Sequence, residues 1–383
     1  DLNLVIKNII KTTSMKHIFT LFCFFNCINI ISQNSKLGDS LVSIGQYQKA
    51  IVEYQKEKQP DLYKIAKAFE SIDNYDEAIA SYEKIRIKDT LNLKVNFQYA
   101  LALLHNNDTK STQILEQLIT KDKNESYYYY LGLSYEKQKN FTKAIENWRA
   151  SLELNPLYFK SVYKLSLLLA NMQQFDASLT IADTFLNSSP NNIDILKIRG
   201  QIYYAQKKYR NCIKDFEKVV AKNTTDENII EKLAQAYLNT KDYKKAILLF
   251  TDLIDNYNSE NANYYLNRGK CYGFLYEIEK AEEDISTSIE LRTYNFDNEY
   301  FYLGFFYQQL EEYEKAMTYY KKGLNINGNH AEAAYQIIAI KDYLGQSSSI
   351  LIKEYQEYLE KFQNISNQRK QLITNRITQL QEK

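Results

Sequence analysis

Small, aromatic and polar positions follow one another along this chain at helical spacing, and the arrangement repeats. Small residues stand in pairs twelve apart, as in Gly38/Ala50, Ala66/Ala78, Gly132/Ala144, Gly200/Cys212 and Gly304/Ala316. The pairing continues through Ala100/Thr112, Ser166/Ser178, Ala234/Ala246 and Gly269/Ala281, so the unit recurs about every 34 residues. An aromatic usually precedes the second small residue by three places, and a large apolar or aromatic residue usually follows it by four. Examples are Tyr75, Ala78, Tyr82; Phe141, Ala144, Trp148; and Tyr243, Ala246, Phe250. Spacings of three and four place these side chains on one face of a helix. Upstream, Leu131-Gly132 with Tyr135 and Leu303-Gly304 with Tyr307 mark a preceding helix with its own face. Each unit is thus a helical hairpin, and a fixed period of this length predicts a solenoid that buries its core by stacking copies. On this reading the small pair lets the two helices of a hairpin approach closely. The large aromatics then fill the gap to the next hairpin.

Composition supports one continuous helical array. Only three prolines and ten glycines interrupt 383 residues, which permits long helices almost everywhere. Alternation of the strand type is absent. The 48 basic residues balance 47 acidic ones, and no like-charge block forms the basic stripe that nucleic acid requires.

The first 32 residues differ from the rest. Residues 1–14 read as an upstream segment before Met15. Met15-Lys16-His17 supplies a short positive end, and residues 18–31 an apolar stretch shorter than the roughly 20 residues of a spanning helix. The sequence predicts a signal peptide over residues 15–32, with the mature chain beginning at Gln33. Its Ser-Gln junction resembles the export signals of Bacteroidetes-type bacteria. The expected location is the periplasm or cell envelope of a Gram-negative bacterium, with no stable membrane insertion after cleavage. The alternative, an uncleaved anchor, is disfavoured by Asn26 and Asn29 in the apolar run. Cys23 and Cys27 lie in this leader, leaving Cys212 and Cys271. Cys212 holds a small-residue position and is expected to be inert packing, with pairing to Cys271 left open.

The hairpin spacing resembles the tetratricopeptide repeat family. Residues 125–158 carry Tyr128, Leu131, Gly132, Tyr135, Phe141, Ala144, Trp148 and Pro156 at the family's positions. The resemblance implies a right-handed α-solenoid of about nine hairpins over residues 33–330, followed by capping helices over 331–383. Two irregularities are expected. The short step from Ala50 to Ala78 calls for a tight loop at Pro60, and Thr112 marks a third copy whose second helix is shifted or loosely packed. Beyond 330, helices are predicted from Ala331 to Leu344 and, capped by Ser347 to Ser349, through Phe362. Ile365, Leu372, Ile373, Ile377 and Leu380 then form one apolar stripe.

The resemblance also implies that the first helix of each hairpin lines a concave side, with its second, fifth, ninth and twelfth places touching a ligand. Carried onto this chain, those places are Tyr129 and then Tyr163 in successive hairpins. Lys197, Gln201 and Tyr204 follow, then Glu231 with Gln235, Asn263 with Lys270, and Phe301 with Phe305. Leu133, Glu136, Leu167, Leu238, Leu266 and Gln308 accompany them. Amides that bond a backbone and aromatics that grip apolar side chains suit a peptide or partner segment. The basic clamp of the chaperone-tail subclass is not reproduced.

Catalytic chemistry is not indicated. His17, His105 and His330 are isolated. Zinc-type Cys/His spacings, phosphate loops and nucleophile elbows are all missing. No cofactor or metal is implied. The expected function is a non-enzymatic protein-interaction scaffold, with a cell-envelope glycan binder as the alternative.

Overall fold

In a computed structural model the chain is all-α among the described residues, which are 36–222, 226–292 and 296–382. The upstream segment 1–14 and the predicted signal peptide 15–32 lie outside them. The chain divides into two compact units, Asp1–Ser188 and Ser189–Lys383. The first unit holds α1 (36–43), α2 (Tyr47–Gln55), α3 (Leu62–Glu70), α4 (Tyr75–Lys88), α5 (Leu93–His105), α6 (Lys110–Lys121), α7 (Glu125–Lys137), α8 (Phe141–Leu154), α9 (Phe159–Asn171) and α10 (Phe175–Ser188). The second holds α11 (Ile193–Ala205), α12 (Tyr209–Val220), α13 (Glu227–Asn239), α14 (Tyr243–Asn256), α15 (Ala262–Phe274), α16 (Ile278–Leu291), α17 (Asp297–Gln309), α18 (Tyr313–Ile326), α19 (Ala331–Tyr343), α20 (Ser348–Lys361) and α21 (Asn367–Gln381). Within each unit consecutive helices pair as hairpins, and each hairpin packs on the next in chain order.

The hairpin turns share one backbone device. Asp73, Asn107, Lys139, Gln173, Lys207, Lys241, Tyr276 and Glu311 all adopt φ between 56° and 66°, as Gly45 and Gly345 do at 73° and 80°. Each ends a first helix. The following N–H bonds back to the helix, as in Asn140 N–H to Tyr135 O (2.9 Å) and Asp242 N–H to Tyr237 O (2.9 Å). This satisfies carbonyls that the helix end would otherwise orphan. The side chains of Asn74, Asn140 and Asp242 then cap the second helix by accepting from its third N–H.

In four hairpins the glycine of the first helix, Gly38, Gly132, Gly200 or Gly304, faces a ring on the second helix. A Cβ at Gly132 would overlap the Trp148 indole, at Gly200 the Phe216 ring, and at Gly304 it would lie 2.7 Å from the Tyr320 ring. Trp148, Phe216 and Tyr320 are fully buried there, and Trp148 Nε1 donates to Tyr129 O at 3.1 Å. These rings thus sit inside their own hairpin, and Trp148 and Tyr320 also share a core cluster with buried residues of the next one. The gap between hairpins is bridged as well by the other aromatic, at the start of the second helix. Tyr75 stacks on His105 at 5.1 Å and Tyr243 on Phe274 at 5.1 Å, each in the next hairpin.

A polar tie recurs between hairpins as well. Tyr135 donates to Glu116, Tyr237 to Glu217, and Tyr307 to Glu282 at 2.6 Å. Lys143, Lys245 and Lys315 lie over the same three rings at 4.9, 4.9 and 4.3 Å. In the second unit Arg199 grips Asp215 through two bonds of 2.7 Å, and Arg268 grips Asp284 through two of 2.8 Å. Removing one member of such a buried pair strands the other and costs about 3–5 kcal/mol.

The irregularities take physical form. The short first step is absorbed by the helices, since α2 and α3 have nine residues each against fourteen in α8. The connection through Pro60 spans 56–61 and is therefore not tightened as expected. In the third hairpin the second helix begins one residue late and rotates, so Ser111, Leu115 and Leu118 are buried. The small pair is thus Ala100/Ser111 rather than Ala100/Thr112. Thr112 instead bonds Ser134 of the next hairpin at 2.6 Å. Past residue 330 the same turn recurs at Gly345, although Ser347 makes no side-chain cap. Ile373 and Leu380 of α21 are buried, with Ile365 and Ile377 packed beside them. Leu372 leaves the predicted stripe and is 53% exposed.

Cys212 and Cys271 are free and buried, and burial pushes each thiol up to about 12.

Gly132→Leu is expected to destabilise the fourth hairpin by about 1–3 kcal/mol through overpacking. Trp148 is the single tryptophan, so its fluorescence during urea unfolding reads that hairpin, and a wild-type midpoint would contradict the interlock. Cys212 and Cys271 should resist iodoacetamide at pH 8 in the native chain and react after unfolding. Peptide mapping that finds either one carboxamidomethylated without denaturant would overturn that burial.

Candidate partner-binding surface

The proposed contact places lie on the first helices of the hairpins, and each unit presents its own set. In the first unit α7 carries Tyr129 and α9 carries Tyr163. Tyr129 is only 8% exposed. Its ring lies against Tyr130 at 4.9 Å and Tyr158 at 5.8 Å, and burial pushes its phenol up to about 12. It therefore belongs to the core, which corrects its assignment as a groove contact. The accessible groups beside it are Tyr130 and Lys160, whose ammonium sits 5.4 Å from the Tyr130 ring and 5.7 Å from that of Tyr129. Tyr163 is half-buried and leans on Phe159, ring centres 6.1 Å apart.

In the second unit, Lys197 reaches Asp226 at 3.6 Å, while Gln201 is exposed. Tyr204 donates to Gln235 Oε1, and Gln235 Nε2 donates to Glu231 Oε1 at 2.9 Å. Three of the predicted residues, from α11 and α13, thus form one relay ending on a carboxylate. Burial raises the pKa of both Tyr204 and Glu231. Asn263 is exposed and accepts from Arg292. Lys270 stands 4.2 Å above the Tyr302 ring.

Phe301 and Phe305 are half-buried and belong to an aromatic cluster. Phe301 stacks on His330 at 5.1 Å and meets Tyr320 at 5.6 Å; Phe305 meets Phe274 at 6.3 Å and Phe306 at 5.7 Å. Phe274 and His330 are not among the predicted contact places: they stand 31 and 29 residues from Phe305 and Phe301, short of the period of about 34, so the repeat gives no signal for these contacts. His330 also caps α19, its Nδ1 accepting from Ala333 N–H at 3.2 Å.

The arrangement can hold a chain or a surface but offers little for bond chemistry. Among the described residues no group of three or more His, Cys, Asp and Glu could hold a metal ion. The thiols are buried, and both described histidines stack on aromatic rings. No described helix is long and apolar enough to cross a membrane.

Comparison with known proteins gives four matched segments. Tetratricopeptide repeat models match residues 126–158, 300–330, and both 62–88 and 231–257. ER membrane protein complex subunit 2 of Xenopus tropicalis is 27% identical over 127 residues, 32% of this chain and 42% of that protein. DnaJ homolog subfamily C member 7 of Homo sapiens is 24% identical over 246 residues, 59% of this chain and 48% of that one. The chain thus spans less than half the length of these relatives. Among solved structures, YrrB, described as a tetratricopeptide repeat protein with an unusual peptide-binding site, shares 17% identity at a TM-score of 0.44, covering 50% of this chain and 98% of its own. A tetratricopeptide repeat protein of Parabacteroides merdae shares 16% identity at a TM-score of 0.43, covering 64% and 97%. Proteins built of this repeat generally mediate protein–protein interaction. With the period, the paired small residues, the hairpins and the four matched segments agreeing, the chain belongs to the tetratricopeptide repeat family.

Proposed function

We propose that this chain is a non-enzymatic interaction scaffold that takes a peptide or partner segment along the first helices of its hairpins. It acts in the cell envelope after export directed by residues 15–32. One observation carries the binding reading. The places that the family uses for contact hold exposed or half-buried amides and aromatics, namely Tyr163, Gln201, Asn263, Phe301 and Phe305, while the interlock rings Trp148, Phe216 and Tyr320 are fully buried. Such groups give apolar grip and backbone hydrogen bonding together. The reading as a non-enzyme is supported by the chemistry of the described residues, whose thiols and histidines are committed to packing. The export reading is supported by the leader-like sequence alone.

Combining Tyr163→Ala, Gln201→Ala and Phe305→Ala should reduce the proteins cross-linked to the full chain in its native cell by on the order of tenfold. Far-ultraviolet circular dichroism should stay unchanged. Mass spectrometry that recovers the same cross-linked set from the triple variant would sink the surface assignment.

A further inference from the structure

A cleft of about 750 Å³ opens in the second unit between α19 and α21, with α20 as its floor. The size falls within the range of ligand sites. α21 packs mainly on α20 and reaches α19 through Arg369 and Arg376. One wall carries Tyr335 and Tyr343; the other is a row of amides, Gln368, Gln371, Asn375 and Gln379. That row lies along one side of α21, at intervals of three and four residues.

The charges in the cleft are already satisfied. Arg376 grips Asp342 through bonds of 2.8 and 2.7 Å, and Tyr355 in the floor donates to the same carboxylate at 3.0 Å. One face of Tyr335 is covered by the Arg369 guanidinium at 3.9 Å, which itself pairs with Glu332 at 3.1 Å. Asp342 and Arg376, the charged residues that line the cleft, are thus committed to each other.

The amides, by contrast, keep bonding capacity. Gln368 has no partner among the described residues. Gln371 donates to Asn375 at 2.9 Å, leaving its own carbonyl and the Asn375 amino group open; Gln379 accepts from Arg376 at 3.1 Å and keeps its amino group. All four are exposed. Beside them stand Leu372, 53% exposed, and Tyr343, 72% exposed. Donors and acceptors in a row, facing an aromatic and aliphatic surface, match the alternating N–H, C=O and side chains of an extended backbone.

We propose that this cleft binds an extended, uncharged segment of a partner polypeptide, its main chain read by the amide row and an apolar side chain set between Leu372 and the tyrosines. From Gln368 to Gln379 the row runs roughly 16 Å at about 1.5 Å per residue. An extended chain of about five residues at roughly 3.3 Å each covers that length. The proposal rests on the interaction reading above and gives it a second, chemically defined site.

The test uses the full chain with phage-displayed random heptapeptides as the probe. Recovered peptides are then synthesised with a fluorophore and titrated by polarisation. The expected peptides carry no net charge and at least one large apolar residue, and their affinity is insensitive to salt. Gln371→Ala with Asn375→Ala should weaken them on the order of tenfold. The isosteric Gln371→Glu should weaken them too, with unfolding midpoints unchanged because both positions are exposed. Peptides that lose affinity to the Tyr163, Gln201 and Phe305 triple variant, but not to the amide variants, overturn the cleft and leave the scaffold reading standing. Charged, salt-sensitive peptides overturn the stated chemistry. Retention of maltoheptaose or chitohexaose in place of peptides assigns the cleft to neutral glycans and also overturns it. Failure to enrich any peptide overturns the cleft proposal, while the scaffold reading stands or falls on the cross-linking result.

Discussion

The structure depends on one steric contact, made in most of its hairpins between a small residue on the first helix and a bulky group on the second. Size on one side trades against size on the other. Glycines at 38, 132, 200 and 304 face Tyr54, Trp148, Phe216 and Tyr320. Alanines at 66 and 234 occupy the same place in hairpins whose second helices bury Tyr82 and Phe250. The fifth hairpin has Ser166 with Ala182 in place of a ring, and there the helices are tied by Ser178 Oγ donating to Ser166 O at 2.8 Å. Dense interiors tolerate such compensated volumes and resist uncompensated ones. In the hairpin of α19 and α20, Ile338 and Glu354 hold the corresponding places, and Glu354 turns to pair with Lys341. Without the interlock, that region is where the packing opens into a cleft.

Contacts between hairpins are of a different kind. They combine a ring at the start of one second helix with a group ending the next first helix, and a tyrosine that bonds a glutamate under a lysine. Surface ties of this sort contribute little each, and hydrogen bonds to carboxylates somewhat more. Stability within a unit is then close to a sum of hairpin terms and neighbour terms, which leaves individual hairpins free to vary without loss of the array. The rotated third hairpin shows that freedom. Its helix turns by one residue, Ser111 and Leu115 replace the usual small and bulky positions, and the displaced Thr112 finds Ser134.

The same division separates framework from surface. The interlock takes up the bulkiest buried rings, such as Trp148, Phe216 and Tyr320, so an aromatic-rich composition does not by itself mean an aromatic-rich binding face. Tyr129 illustrates this, since its place in the repeat is a contact place and its ring is core. Gln201 and Asn263, at other contact places, stay exposed, Asn263 while accepting from Arg292. Functional specificity therefore lies in a small set of side chains on an otherwise fixed scaffold.

The sequence by itself determined the repeat, the hairpin and the family, because small residues at fixed spacing are required wherever two helices must touch and few residue types satisfy that requirement. It also placed most contact candidates on the right helices, since a constant period carries register from one copy to the next. It could not reveal the turns: among the described residues eight of the ten in the left-handed region are not glycine, so the usual compositional mark is missing and only the backbone bonds disclose them. Nor could it reveal the Arg199–Asp215 and Arg268–Asp284 pairs, the relay from Tyr204 to Glu231, or the cleft beside α21. Each of these joins residues from different helices. Their meeting depends on how far apart two helix axes settle and how each is rotated, and those are decided by packing volume rather than by any local pattern.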